Sequence, residues 1–151
     1  MPETFEQYGL RVLYPDNWQL SERAEGEPPG AFWETPGGGF LSVDEVDGDN
    51  DEAIDALFEK TLATMRADYG EVETEEITSS IAGGFYRGVE YRFYYLDLII
   101  QSRLIIVLGG GGKDTGAAKD WAIQVQAESR DWDTNEAVFD AMLQQIAPHK
   151  T

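Results

Sequence analysis

Residues 83–95 read Gly-Gly-Phe-Tyr-Arg-Gly-Val-Glu-Tyr-Arg-Phe-Tyr-Tyr. Phe85, Arg87, Val89, Tyr91, Phe93 and Tyr95 fall on one parity. Tyr86, Gly88, Glu90, Arg92 and Tyr94 fall on the other. Successive side chains of a strand point to opposite faces, so alternation of this length predicts a long β-strand with two unlike faces. Gly83-Gly84 follows a weaker strand candidate at 71–81 and signals a tight hairpin. Beyond it, residues 98–108 carry apolar side chains on both parities, which predicts a central strand covered on both sides. Trp121, Ile123, Val125 and Ala127 alternate with Ala122, Gln124, Gln126 and Glu128, giving a further strand.

Upstream, Leu10, Val12 and Tyr14 alternate into a short strand that stops at Pro15. Residues 21–30 are charged and rich in Pro and Gly, and read as a loop. Residues 31–34 and 40–46 read as strands around the Thr35-Pro36-Gly37-Gly38-Gly39 turn. Ile54, Leu57, Phe58, Thr61, Leu62 and Met65 recur at helical spacing, with Asp49 and Glu52 as a capping-box pair and Gly70 as a stop. Val138, Phe139, Met142, Leu143 and Ile146 form a second stripe, with Asp133 and Glu136 at its start and Pro148 at its end. Consecutive strands joined by short turns imply antiparallel pairing. Two one-sided helices must then bury their stripes on the sheet, which makes an α+β layered domain spanning 1–151.

Eleven Lys and Arg face 29 Asp and Glu, a formal charge of −18. Residues 44–76 alone hold 13 acids and 2 bases, so the charge gathers on a face around the first helix. Such a chain repels phosphate backbones and anionic lipid, which argues against nucleic acid as a partner. With no cysteine, disulfides, thiol catalysis and Cys-ligated metals are excluded. The opening Met-Pro-Glu-Thr-Phe-Glu-Gln-Tyr is not a signal peptide, and residues 96–108, interrupted by Asp97, Gln101, Ser102 and Arg103, do not make a membrane span. A cytoplasmic protein is the expectation.

Tyr14-Pro15-Asp16-Asn17-Trp18 resembles the aromatic-Pro-x-x-Trp opening of PsbP-like proteins. The later helix, the Gly83-Gly84 hairpin, the long strands and the C-terminal helix follow the same order. The resemblance implies an α/β/α sandwich, an antiparallel sheet of about six or seven strands flanked by two main helices. That superfamily includes extrinsic photosystem II subunits, Ran-binding regulators, DcrB-like lipoproteins and small adaptors of bacterial secretion systems. It implies a non-enzymatic binding or assembly module. Only Pro15 and Trp18 match, so no functional residue carries over.

The motifs that invite chemistry fail in detail. Gly109-Gly110-Gly111-Gly112-Lys113 looks like a phosphate loop, but Val107 stands where its first glycine belongs and Asp114 where Ser or Thr would hold magnesium. Asp47-Gly48-Asp49-Asn50-Asp51-Glu52 spaces oxygen ligands like a calcium loop, yet Glu52 replaces the sixth-position glycine and Phe58 the twelfth-position glutamate. His149 is the single histidine and stands near the C-terminus, so neither a triad nor a His-based metal site is expected, and no cofactor motif is present. Paired carboxylates of a hydrolase cannot be nominated among so many acids.

Trp18, Trp121, Phe85, Tyr91, Phe93 and Phe139 are expected in the core. Tyr86 and Tyr94 share a strand face with Glu90 and Arg92 and are candidates for a partner surface, as is Trp33 beside its Pro-Gly loop. With Asp44, Asp47, Asp49 and Asp51 they form the expected partner-binding set. The expected function is a non-enzymatic protein-binding or adaptor module, for which the acids point to a basic partner, and a homo-oligomer stays open although the acid excess opposes self-association. The alternative is a small-molecule or hydrolytic domain with a pocket between sheet and helix. The acids also fit a solubility or salt-tolerance role.

Overall fold

A computed structural model describes residues 2–8, 10–46, 50–81, 84–108 and 120–146. The strands are β1 (Glu3–Gln7), β2 (Leu10–Tyr14), β3 (Gln19–Glu22), β4 (Gly30–Glu34), β5 (Phe40–Val46), β6 (Val72–Ile81), β7 (Gly84–Tyr95), β8 (Leu98–Val107) and β9 (Asp120–Glu128). The helix α1 (Asp51–Tyr69) lies between β5 and β6, and α2 (Trp132–Ile146) follows β9 after a 3-10 turn at Ser129–Asp131. Seven strands form one antiparallel sheet in the order β3-β4-β5-β9-β8-β7-β6, and β1 and β2 pair as a separate hairpin. The architecture is α+β, as the alternating strands and one-sided helices require.

The two faces of the sheet are covered unequally. On one side α2 and the β1–β2 hairpin seal a core containing Trp33, Leu41, Val43, Ile105, Ile123, Val125, Phe139 and Met142. Gln145 of α2 ties the hairpin down by accepting from the Leu13 N–H at 2.7 Å and donating to the Leu13 carbonyl at 3.2 Å. On the other side α1 alone packs Ile54, Phe58 and Met65 against Val72, Val89, Tyr91, Phe93, Leu104 and Ile106. Tyr91 is fully buried, and its hydroxyl donates to the Phe58 carbonyl at 3.1 Å.

Four local expectations change. The 3–7 strand and the strand at 19–22 were absent from the sequence pattern, because Glu3, Glu6, Gln19 and Glu22 leave only Phe5 and Leu20 as apolar signal. The α1 cap is Asn50, whose side chain accepts from the Ala53 N–H at 2.8 Å, so the expected Asp49–Glu52 box is not the device used. Gly70 does end α1, at φ +85 with its N–H on the Arg66 carbonyl. At α2 the chain runs on from the 3-10 turn, and Glu136 is spent on Arg103 and Trp132 rather than on a box with Asp133. Phe85, expected in the core, is 77% exposed, because α1 opens only at Asp51 and leaves that end of β7 uncovered. The expected features at Gly83, 109–119 and 147–151 lie outside the described residues, among them the glycine-rich loop and His149.

Candidate functional site

On the α1 side, the helix stands over β6, β7 and β8 and leaves β5 and β9 half-covered. A cleft of about 440 Å³ runs between them. Phe40, Ser42, Asp44, Gln124 and Gln126 line it from the sheet, and Leu57, Lys60, Thr61, Thr64 and Asp68 line it from α1. Several of its polar groups have local partners. Gln124 donates to the Ser102 hydroxyl at 3.0 Å, and Thr61 and Thr64 donate to the carbonyls of Leu57 and Lys60, each at 3.0 Å. Arg23 pairs with Asp44 at the rim. Among the described residues the one buried side-chain nitrogen or oxygen without a hydrogen bond is Trp33 Nε1, and it lies on the other side of the sheet. Of the charged groups in the cleft, Asp44 is paired, and Lys60 and Asp68 have no ion-pair partner among the described residues.

A second polar cluster fastens α2 to the sheet. Glu90 on β7, 4% exposed, accepts from Arg92 at 2.6 Å, Gln101 at 2.7 Å and Arg103 at 3.0 Å. Arg103 also reaches Glu136 of α2 at 3.2 Å, and its guanidinium lies 4.9 Å from the centre of the Trp132 ring. Trp132 donates to the same Glu136 carboxylate at 2.8 Å. Burial pushes the Glu90 pKa up, but hydrogen bonds from Arg103 and Gln101 and the charges of Arg103 and Arg92 outweigh it and hold the group below its ordinary value. Asp140 is held above its ordinary value by burial and by Glu136, with Arg103 opposing. Three donors, two of them charged, hold the carboxylate in its ionised form, which suits a clamp between layers.

The expected partner-binding residues do not converge. Trp33 is fully buried, which corrects its place as a surface anchor. Phe5 of β1 packs edge-on against it at 5.3 Å and Tyr14 of β2 at 5.9 Å, so the hairpin that the sequence pattern half-missed is what covers it. Tyr86 is half-buried against the α2-side core. Tyr94 is 68% exposed. The two tyrosines are on one face, as the alternation implied, but Glu90 between them is sealed under Arg103. Asp44 pairs with Arg23 on β5, and Asp51 pairs with Arg87 at 3.2 Å at the start of α1. Arg87 also holds Asp55 at 2.5 Å. Asp47 and Asp49 lie outside the described residues.

The acids themselves divide. Glu52, Glu59 and Asp68 stand exposed on α1 and, among the described residues, have no ion-pair partner. On β6 the pairing register puts Glu76 on the α1 side, while Glu73 and Glu75 share the opposite side with Glu90 and Arg92. The charge thus wraps the β6 edge rather than forming one face. Acids along a ten-residue edge strand also block edge-to-edge pairing of identical sheets.

A feature that pattern reasoning missed is the end of the β7–β8 hairpin. Tyr94, Tyr95, Leu96, Leu98 and Ile99 are all exposed, with Leu96 at 81%. The usual loop marker, Gly or Asn, is absent from Tyr95-Leu96-Asp97-Leu98, and that absence was the available signal.

Among the described residues, no group of three or more His, Cys, Asp or Glu is arranged to hold a metal ion. No described helix is long and apolar enough to cross a membrane. No family model and no curated protein matches the sequence. Among solved structures, the chain is similar to PA94, a protein of unknown function from Pseudomonas aeruginosa, at TM-score 0.53 and 11% identity, covering 99% of both chains. LpqN of Mycobacterium tuberculosis, involved in cell envelope biogenesis, matches at TM-score 0.45 and 11% identity over 96% of this chain and 82% of that one. The PA94 likeness is one of fold. Neither description names a catalytic activity.

Proposed function

We propose that the chain is a non-enzymatic protein-binding or adaptor module of the PsbP-like kind, with a basic partner. The observation that carries this is the half-open α1 side. It is a cleft in which Gln124, Thr61 and Thr64 are already partnered, beside a helix on which Glu52, Glu59 and Asp68 stand exposed without an ion-pair partner among the described residues while Asp51 and Asp55 are held by Arg87. Surfaces of this kind bind by shape and charge, not by chemistry on a bound substrate. Unpaired acids steer a basic partner and make its association salt-sensitive. Capture of partners at low and at high salt tests this, alongside a Glu52→Lys/Glu59→Lys variant. Recovered proteins are expected to be basic, to release as salt rises and to be lost with the variant. Partners indifferent to salt and charge would refute it.

The size of the cleft favours one other reading, because about 440 Å³ lies within the range of small-molecule sites. A thermal-shift screen against a metabolite library addresses it. A stabilising compound whose effect disappears in Gln124→Leu would support a ligand site, and a library without such a compound would leave the protein-binding module standing.

A further inference from the structure

The β7–β8 hairpin ends in apolar residues on both of its faces. Tyr94 faces Ile99 across the hairpin and Tyr95 faces Leu98, so the two pairs project to opposite sides of the sheet. Their exposures run from 36% at Leu98 to 68% at Tyr94, and Leu96 at the turn reaches 81%. Tyr69, the last residue of α1, extends the patch. It stacks on Phe93 at 4.2 Å, meets Tyr95 edge-on at 5.8 Å and is itself 37% exposed. On the α1 side Tyr69, Tyr95 and Leu98 adjoin the turn residue Leu96 as one patch, while Tyr94 and Ile99 face the other way, and clustered exposed apolar side chains of this kind mark interaction sites.

The backbone gives an independent sign that the tip is used. Leu96 has φ +57, a left-handed conformation that glycine or asparagine adopts more readily than leucine. A large apolar side chain stands at the position where the turn itself would favour glycine. Strain of this sort persists where the side chain has a task.

The surroundings define the partner. Asp97 is in the turn. Glu71 precedes Val72, which pairs with Phe93, and Asp68 precedes Tyr69. None of these three has an ion-pair partner among the described residues, the nearby Arg92 is engaged by Glu90, and Arg66 in the last turn of α1 is the one cation set against the three acids there. The negative end of the α1 dipole points to the same place. An apolar patch inside an acidic collar is complementary to a cationic amphipathic helix, with its apolar stripe on the tyrosines and leucines and its Lys or Arg on the collar. The same collar repels anionic headgroups and a second copy of the chain.

We infer that the end of the β7–β8 hairpin, with Tyr69, is the apolar anchor for a cationic amphipathic helix of a partner protein. This rests on the basic-partner reading above and adds to it where, and through which side chains, the partner is held.

The test uses the full chain and two synthetic 18-residue amphipathic peptides of one pattern, one of Leu and Lys and one of Leu and Glu. Binding is followed by fluorescence anisotropy, and 15N-resolved NMR maps the contact. The Leu/Lys peptide is expected to bind at least tenfold more tightly than the Leu/Glu peptide, with shifts confined to 68–72 and 94–99. Leu96→Gly, which relieves the positive φ, and Tyr95→Ser/Leu98→Ser are expected to weaken binding at least tenfold while circular dichroism stays native. If both hairpin variants bind as the wild type does while Glu52→Lys/Glu59→Lys binds weakly, this inference falls and the basic-partner reading stands. If the Leu/Lys peptide does not bind at all, both fall. Three further outcomes overturn the inference: equal affinity for the two peptides, hairpin-dependent binding to phosphatidylcholine/phosphatidylglycerol vesicles without peptide binding, or a dimer in sedimentation that Leu96→Gly abolishes.

Discussion

Replacing Arg103 with methionine keeps much of the aliphatic stem and removes the charge that joins two layers. Arg103 reaches Glu90 at 3.0 Å and Glu136 at 3.2 Å and covers the Trp132 ring at 4.9 Å. Removing one partner of a fully buried pair costs roughly 3–5 kcal/mol. The Arg103 and Glu136 side chains are 28% and 37% exposed, and Glu90 keeps Arg92 and Gln101, so solvent and the remaining donors reduce the figure. About 2–3 kcal/mol remains at pH 7, including about 0.5–1 kcal/mol from the ring contact. For a chain of this length that is a fall of roughly 5–10 °C in melting temperature.

The cost also has a pH signature. In the wild type Glu90 is held below its ordinary value of 4.5, so its stabilising contribution is present above that value and is lost as pH falls through the folded-state pKa. In Arg103→Met the upward push of burial loses its main opponent, and the Glu90 pKa rises. Asp140, already raised by burial and Glu136, loses the opposing charge of Arg103 and moves the same way. Acidification then protonates the uncompensated carboxyls and relieves the variant. The stability gap between the two proteins is therefore widest near neutrality and narrows toward pH 4. Urea denaturation from pH 4 to 7 measures it. A gap below about 1 kcal/mol at pH 7, or one constant across the range, refutes the clamp.

Three other perturbations test the fold. Burial and then the charge of Glu59 push the Tyr91 pKa up from 10.0 to about 12, and Tyr14 is raised too, by burial first and then by Glu3 and Glu22, so absorbance at alkaline pH should show a late-ionising tyrosine that disappears in Tyr91→Phe. Its raised pKa means that the contribution of Tyr91 to stability is present below 10.0 and is lost between there and about 12, and Tyr91→Phe should remove that part of the pH dependence. A Cβ at Gly39 would meet the Gln126 carbonyl at 2.5 Å, so Gly39→Ala should destabilise by about 1–3 kcal/mol in denaturant melts. Asn50→Ala removes the α1 cap and should cost about 1 kcal/mol by the same measurement, whereas Asn50→Asp should be close to neutral.

The long elements were legible because their patterns repeat. The alternation over Phe85–Tyr95 and the helical stripe from Ile54 to Met65 each provide several independent signals for one element, and both elements form as expected. Short strands offer too few. In β1 only Phe5 is apolar, and its burial depends on Trp33 beneath it, a contact between distant parts of the chain. That missing strand is also why Trp33 read as a surface anchor. The Glu90 clamp was illegible for the opposite reason. Charged residues at alternate strand positions look solvent-facing until a helix from 40 residues later covers them, and only the fold reveals that Arg103 and Glu136 meet.

The geometry of the sheet explains where binding surface is available. Seven strands at roughly 4.8 Å spacing span about 29 Å between edge axes, whereas a helix with its side chains covers roughly 10–12 Å. The α2 side answers with a helix and a hairpin, and its β5 and β9 positions are Leu41, Val43, Ile123, Val125 and Ala127. The α1 side has one helix, and the same two strands turn Ser42, Asp44, Gln124 and Gln126 to the uncovered half. With Phe40, Val46 and Ala122 as apolar exceptions, composition on these two strands thus follows cover. The match fails at the end of β7 and β8, where the helices contribute only Tyr69 at the last turn of α1 and the exposed side chains are tyrosine, leucine and isoleucine. Cover by an additional chain restores it there, and α1 ends at that place with a tyrosine in contact and acids on either side.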